Sequence, residues 1–503
     1  MSGSSRGPLG IGLGAVALYT GAMATAYFTA AVPKHRAETA WFIYVALVVV
    51  VGALSWARDD QESETGPGST TPAGLLFPLL GALTLLLYLP AFRIGLLSDD
   101  FSLIDRATRH DYWSASSSGF FRPVPLLSWA VLLAAFGRFG TVALHALNVF
   151  LHAANATLVV RLAERLALPK LAAVLAGVLF VCFPASVEPV AWASGLQDVL
   201  LTTAALVFVL GATQGIAPWA IAVSMAALIV ALGTKETAIA IPVLALPLVS
   251  NWRTPRQLAL PIAGLLLAFG YALWRLMALG TQQHQTAWPS RYFAKEMLSR
   301  AFGTLGLPFT GAEVHRFAAL GIGFGWLFLI LSLALVVRAQ NRRLLTTSLK
   351  AALWIVAAVA PVYTFFYITP ELQGSRYLYL AACGWSVLVA LLISSSRGAR
   401  QVVYVGGGAV AVVWACAIRA HLLDWEQAAT VRDAVVSSAV KRLTVTSCRP
   451  LGFSDLPDSV GGAYVFRNGF IDALAAEGVP PGAAMLADRS GSCVLRWNGR
   501  EFQ

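Results

Sequence analysis

The chain has 503 residues, of which 12% are charged and 57% hydrophobic, with a formal net charge of +11 and a mean hydropathy of +0.70. Soluble domains carry roughly 25% charged residues, so this composition cannot cover a water-exposed surface, and it excludes disorder, collagen, coiled coils and small disulfide scaffolds. The basic residues stand singly between apolar runs of about 20 residues, where Lys and Arg set membrane orientation rather than bind nucleic acid.

The expected architecture is an all-α polytopic membrane protein of about 13 transmembrane helices with a small C-terminal extracytoplasmic α+β module. Two apolar segments at 9–32 and 40–56 form an N-terminal hairpin, residues 1–56, and the polar stretch 57–73 reads as a linker. The first segment is too long for the apolar region of a signal peptide, and a second span follows it directly. A catalytic core over 74–418 holds expected spans near 74–93, 143–162, 169–184, 197–213, 216–233, 237–250, 258–279, 318–337, 350–368, 378–394 and 401–418. Residues 124–137 are too short for a confident span and read as a helix lying at the interface. The tail, 419–503, regains polar residues and turn signals at Leu456-Pro457-Asp458, Gly461-Gly462 and Pro480-Pro481-Gly482.

Four basic clusters, Arg161/Arg165/Lys170, Arg253/Arg256, Arg338/Arg342/Arg343 and Arg397/Arg400, fall on alternate loops and mark one cytoplasmic side. The loops 94–142, 185–196, 280–317 and 369–377, the link near Thr234–Glu236 and the tail then share the opposite side. Cys182, Cys383 and Cys416 lie in apolar runs as small hydrophobes. Cys448 and Cys493 lie in the tail and can pair if it is outside the cytoplasm; two free thiols are the alternative. No spacing resembles a metal site.

Chemistry concentrates on that outer side. Ser98-Asp99-Asp100-Phe101 puts two carboxylates at a membrane boundary, where partial desolvation suits a general base, although solvated loop acids are the plainer reading of a double Asp. Phe121-Arg122-Pro123 sets a guanidinium beside aromatics, suited either to a phosphate or to interfacial anchoring. His145, Asn148, His152 and Asn155 share one helix face; helix packing explains them as well as substrate contact does. Glu188 and Asp198 are isolated acids flanking Trp192. Thr234-Lys235-Glu236-Thr237 interrupts an apolar stretch and can be a self-neutralising pair. Arg376, between Ser375 and Tyr377, suits a lipid phosphate, while Tyr377 and Tyr379 suit the aromatic belt.

The order of these motifs is more informative than any one of them. DDF at 99–101, FRP at 121–123, NxxLHxxN at 148–155, VEPVAW at 187–192 followed by Asp198, TKET at 234–237 and RYLYL at 376–380 resemble the GT-C superfamily of membrane glycosyltransferases. The nearest pattern is that of bacterial relatives of the transmembrane and tetratricopeptide-repeat O-mannosyltransferases, over about residues 95–380. Leu196 replaces an Arg of that pattern, Ser375 a Glu and Thr234 a Ser, and the tail lacks the repeats. The resemblance implies a polyprenyl-phosphate sugar donor, with mannose as the sugar that this likeness suggests, transfer to a protein, lipid or glycan hydroxyl on the outer face with inversion, and no metal or other cofactor. It implies Asp99 as catalytic base, Asp100, Glu188, Asp198 and His152 around the sugar and acceptor, and Arg122, Lys235 and Arg376 at the lipid phosphate. The Ala, Leu, Val and Gly bias points to a bacterial plasma or inner membrane. A secondary transporter or flippase is the competing reading, which expects ionisable groups at mid-membrane and internal repeats.

Overall fold

A computed structural model of the chain describes residues 73–116, 119–213, 217–249, 255–279, 304–305, 342–362, 368–369, 371–395, 400–487 and 493–503. The expected hairpin 1–56, nearly all of the linker, the span at 318–337 and Arg253, Arg338 and Arg397 lie outside the described residues.

Ten of the eleven expected core spans overlap helical segments among the described residues, four of them, at Pro218–Leu232, Glu236–Leu248, Leu345–Val359 and Ser375–Leu391, shorter than a full span. In chain order the helices are α1 (Ala73–Tyr88), α2 (Asp99–Thr108), α3 (Pro123–Phe136), α4 (Gly140–Arg165), α5 (Lys170–Val181), α6 (Val187–Ala191), α7 (Leu196–Ala212) and α8 (Pro218–Leu232). They continue with α9 (Ile241–Ala245), α10 (Pro255–Leu279), α11 (Arg342–Val359), α12 (Tyr379–Ser395), α13 (Arg400–Val445) and α14 (Phe470–Ala476). Five helical stretches among the described residues are long and apolar enough to cross a membrane; α5 and α6, bent by 52° with respect to each other, make a sixth if counted as one span. Pro184 explains that break, since it cannot donate to the carbonyl of Phe180 as a continuous helical ladder would require.

Small residues let the helices approach closely, as packing in lipid demands. A Cβ on Gly177 would lie 2.5 Å from Val160 Cγ2 and 3.1 Å from the Ala156 carbonyl, which fixes the α4–α5 crossing. Outward rows such as Leu266, Phe269 and Met277 on α10 remain exposed, the surface that hydrocarbon rather than water accommodates.

The boundary expected at 418/419 falls inside a helix. α13 runs without interruption to Val445, about 69 Å at 1.5 Å per residue, and carries the chain from the bundle into the tail. There β1 (Leu451–Ser454) is flanked by β4 (Ala484–Leu486) and β5 (Val494–Arg496), both parallel to it. β2 (Ser459–Val460) and β3 (Ala463–Tyr464) form an antiparallel hairpin. Phe453, Phe470 and Phe502 are buried together beneath the sheet, and a disulfide joins Cys448 to Cys493 with the Cα atoms 5.8 Å apart. The tail packs against α2, α13 and the 371–376 loop and is therefore continuous with the bundle.

Candidate active site

Three loops meet at one end of the bundle, and the polar stripe of α4 holds two of them. His145 Nε2 donates to the Gly95 carbonyl (3.1 Å) and Asn148 Nδ2 to that of Trp192 (2.8 Å). The Trp192 indole N–H donates in turn to Leu97 O (3.1 Å). Lower on α4, Asn155 Nδ2 donates to Val199 O (3.0 Å), and His152 donates through Nε2 to Val181 O (3.3 Å), so its Nδ1 accepts from Tyr379 Oη (2.6 Å). All four stripe residues are fully buried. All four make packing contacts between segments, and His152 stands among Tyr88, Phe180 and Tyr379, outside the lining of the cavity described next.

That cavity has a volume of about 570 Å³ and is walled by α2, α3, the 192–197 turn, Lys235, the 376–377 segment and the tail. Asp99, Arg122, Lys235 and Arg376 line it, with Trp129, Trp192 and Tyr377 as aromatic walls. The structure thus brings together the expected base and all three expected cations. Asp100, Glu188 and Asp198 stand behind the wall instead.

The two adjacent aspartates diverge because both lie in the first turn of α2, where successive side chains are rotated by about 100°. Asp100 is fully buried. One of its oxygens accepts from Leu97 N (2.8 Å), and the other from Ser194 N (2.8 Å) and Ser194 Oγ. Burial pushes this carboxyl up to about 7 against the opposing pull of those donors. Asp99 is only partly buried, and its Oδ1 accepts from Asn468 Nδ2 (2.7 Å).

Two of the expected acids behind the wall, Asp198 and Glu188, each anchor a cation. Lys235 Nζ is 2.5 Å from Asp198 Oδ1, with both side chains less than a tenth exposed. The Arg376 guanidinium pairs with Glu188, which also accepts from the Arg376 backbone N–H (3.2 Å) and Ser375 Oγ (3.3 Å). Arg122 pairs with Glu236 (2.8 Å) and donates to Gln197. Lys235 and Glu236 therefore do not neutralise one another; each has a distant partner. Because a charge stripped of water needs a close counter-charge, these pairs hold the cations at fixed places on the wall.

Sequence reasoning missed the tail's contribution. Asn468, Gly469 and Asp472 line the cavity, and Tyr464 Oη accepts from Arg376 Nη1 (2.9 Å). Gly469, at φ +79°, is what permits the approach: a Cβ there would lie 2.3 Å from Ser98 O. The signal was present in Gly461-Gly462-Ala-Tyr464-Val-Phe-Arg467-Asn468-Gly469, a turn-rich run of aromatic and polar residues, but nothing local says what such a run docks against. Among the described residues no group of three or more His, Cys, Asp or Glu is gathered as a metal site would require.

Fold and site together define a helical integral membrane protein with a polar cavity at one end of its bundle, lined by the carboxylates Asp99, Asp111 and Asp472 and by the paired cations Arg106, Arg122, Lys235 and Arg376. No protein-family model and no curated protein sequence matches the chain. Among solved structures, ArnT from Cupriavidus metallidurans in the apo state is similar, with a TM-score of 0.50 at 14% identity, over 80% of this chain and 85% of that one. ArnT from the same organism bound to undecaprenyl phosphate gives a TM-score of 0.49 at 14% identity, over 84% and 87%. The likeness to the apo structure is one of fold.

Proposed function

We propose that the protein is a membrane glycosyltransferase that moves a sugar from a polyprenyl-phosphate donor to an acceptor hydroxyl on the outer face of a bacterial inner membrane. The observation that carries this reading is the placement of Asp99 on the same cavity wall as Arg122, Lys235 and Arg376. The motif order supports the donor class, and the shared fold with ArnT is compatible with it.

The chemistry divides between the two kinds of group. Asp99 takes the proton from the acceptor hydroxyl as its oxygen attacks the anomeric carbon. The bond from that carbon to the phosphate oxygen breaks, and polyprenyl phosphate leaves with the electron pair, so the configuration inverts. A phosphate leaves as an anion and needs positive charge more than a proton. Lys235 has three N–H donors, of which Asp198 takes one. A single phosphate gives no diphosphate for a metal to bridge, so the step requires none. Mannose is the sugar favoured by the motif likeness, and the acceptor is a hydroxyl of a protein, lipid or glycan.

The test is incubation of purified protein with a panel of polyprenyl-phosphate sugars and a membrane extract that supplies protein, lipid and glycan hydroxyls, with mass spectrometry of the lipid. Expected is conversion of one donor to free polyprenyl phosphate, abolished by Asp99→Asn. Donors that all remain intact, or that move between leaflets of a vesicle without losing their sugar, would overturn the enzyme reading in favour of a transporter.

A further inference from the structure

The tail touches both chemical ends of the cavity within five residues. Tyr464 accepts a hydrogen bond from Arg376 Nη1 (2.9 Å) and Asn468 donates one to Asp99 Oδ1 (2.7 Å). Between them, Arg467 Nη2 donates to Gln373 Oε1 (3.0 Å) and to Asp458 (2.9 Å). The flanks are fastened as well. Ser98 N donates to Val465 O (3.0 Å), and Asn468 N donates to Ser98 Oγ (3.3 Å). Gly462 and Gly469 lie so near the Glu371 and Ser98 carbonyls that a Cβ would come within 2.1 and 2.3 Å of them.

We infer that residues 464–468 are a positioning strap for the reaction proposed above, Asn468 orienting the base and Tyr464 orienting the phosphate-binding guanidinium, so that the C-terminal module forms part of the active site. The inference rests on the glycosyltransferase reading. Its physical basis is that a base and a leaving-group cation on separate segments, the first turn of α2 and the 374–376 turn, hold a fixed separation only if something spans them. An amide N–H on Oδ1 turns the carboxylate so that Oδ2 remains for the acceptor proton. The phenol oxygen engages an Arg376 donor beside those taken by Glu188, and Trp192, Tyr377 and Tyr464 surround the guanidinium at 5.2, 4.7 and 5.6 Å from their ring centres.

The two ends of the strap predict different kinetic signatures. Asn468→Ala should lower kcat about 10- to 100-fold with little change in donor KM, as expected for loss of one hydrogen bond to a charged group. Asn468→Asp is nearly isosteric, yet it should be worse than Ala because it places a second carboxyl against the base. A merely structural role reverses that order. Tyr464→Phe keeps the ring and removes only the hydroxyl, so it should raise donor KM about 2- to 10-fold with a smaller effect on kcat.

The experiment measures kcat and donor KM for wild type, Asn468→Ala, Asn468→Asp and Tyr464→Phe in detergent, with size exclusion and thermal melting as folding controls. The split described supports the strap. Wild-type kinetics in both Asn468→Ala and Tyr464→Phe overturns it while leaving the glycosyltransferase reading intact, as does Asn468→Asp outperforming Asn468→Ala. A folded wild type that consumes no polyprenyl-phosphate sugar overturns the reading itself, and the strap with it.

Discussion

Asp99 and Asp100 are neighbours in sequence with opposite surroundings, and the difference decides what each can do. Asp100 already satisfies three donors from two segments, so it acts as a tie between the turn before α2 and the 193–195 turn. Asp99 keeps an oxygen toward the cavity. Asp99→Asn should leave the melting temperature near that of the wild type and reduce transfer about 100- to 10,000-fold, the usual range for losing a general base; unchanged turnover would remove Asp99 from the chemistry. Asp100→Asn should instead lower the yield of folded protein, because an amide NH₂ must face one of those N–H donors, at about 1–3 kcal/mol. The pH dependence has a definite sign. The folded Asp100 carboxyl holds its proton up to about 7, against an ordinary value of 3.8, so the folded state binds more protons in between and its stability falls as pH rises through that window. Asn does not titrate, so melting temperatures should show the advantage of wild type over Asp100→Asn shrinking from about pH 4 to 7 and levelling above. A constant difference would contradict the burial. The pair of acids is legible in the sequence and the motif resemblance favours Asp99, but two of the three donors to Asp100 come from Ser194, 94 residues away, and cannot be read from the neighbourhood of residue 100.

At the scale of elements, hydropathy located the helices but not what their polar interruptions do. Runs such as 197–213 became α7 because an apolar segment in lipid must satisfy its backbone internally. The partners of Lys235, Arg122 and Arg376 are 37, 114 and 188 residues away, so local spacing could expose the charges without pairing them. Hydropathy falls near 418 while helix formation does not stop, so the apolar pattern does not mark the end of α13. No Gly or Pro occurs from Ala409 to Arg449, and a polar helix propagates until such a breaker arrives. The 193–195 turn gives an element-level test. A Cβ on Gly195 would sit 2.1 Å from the Pro189 carbonyl oxygen and 2.6 Å from its carbon, so backbone must move. Gly195→Ala should therefore draw Ser194 away from Asp100, lower the melting temperature and reduce activity together. Overpacking of this kind costs about 1–3 kcal/mol, and a variant as stable and active as wild type would show that the turn is not rigid.

The whole molecule raises the question of sidedness, on which the proposed chemistry depends. α4 has 26 residues and is about 39 Å long at 1.5 Å per residue, enough to exceed a hydrocarbon core of about 30 Å. Its first turns are tied through His145 to Gly95, in the segment that leads to Asp99, and its last two turns carry Arg161 and Arg165, with Lys170 opening α5. The basic turn and the cavity are thus separated by a bilayer's thickness. If the basic turn is cytoplasmic, as the positive-inside rule requires, then Asp99, the strap and the disulfide-bearing tail all face outward, in a compartment where a disulfide persists. Two exposed positions report the two ends: Arg109, just after α2, and Ala167, in the turn before α5. In a background lacking the other reactive thiols, Arg109→Cys should react with a membrane-impermeant maleimide added outside intact cells, and Ala167→Cys only after the membrane is opened. In the same preparation, wild-type protein should gain two alkylated tail cysteines only after reduction. Labelling of both engineered positions from one side would place the cavity and the basic turn in the same compartment and would overturn the orientation on which outward transfer rests. Opposite labelling with the pattern reversed would put the cavity in the cytoplasm, where the Cys448–Cys493 bond would not be expected to last.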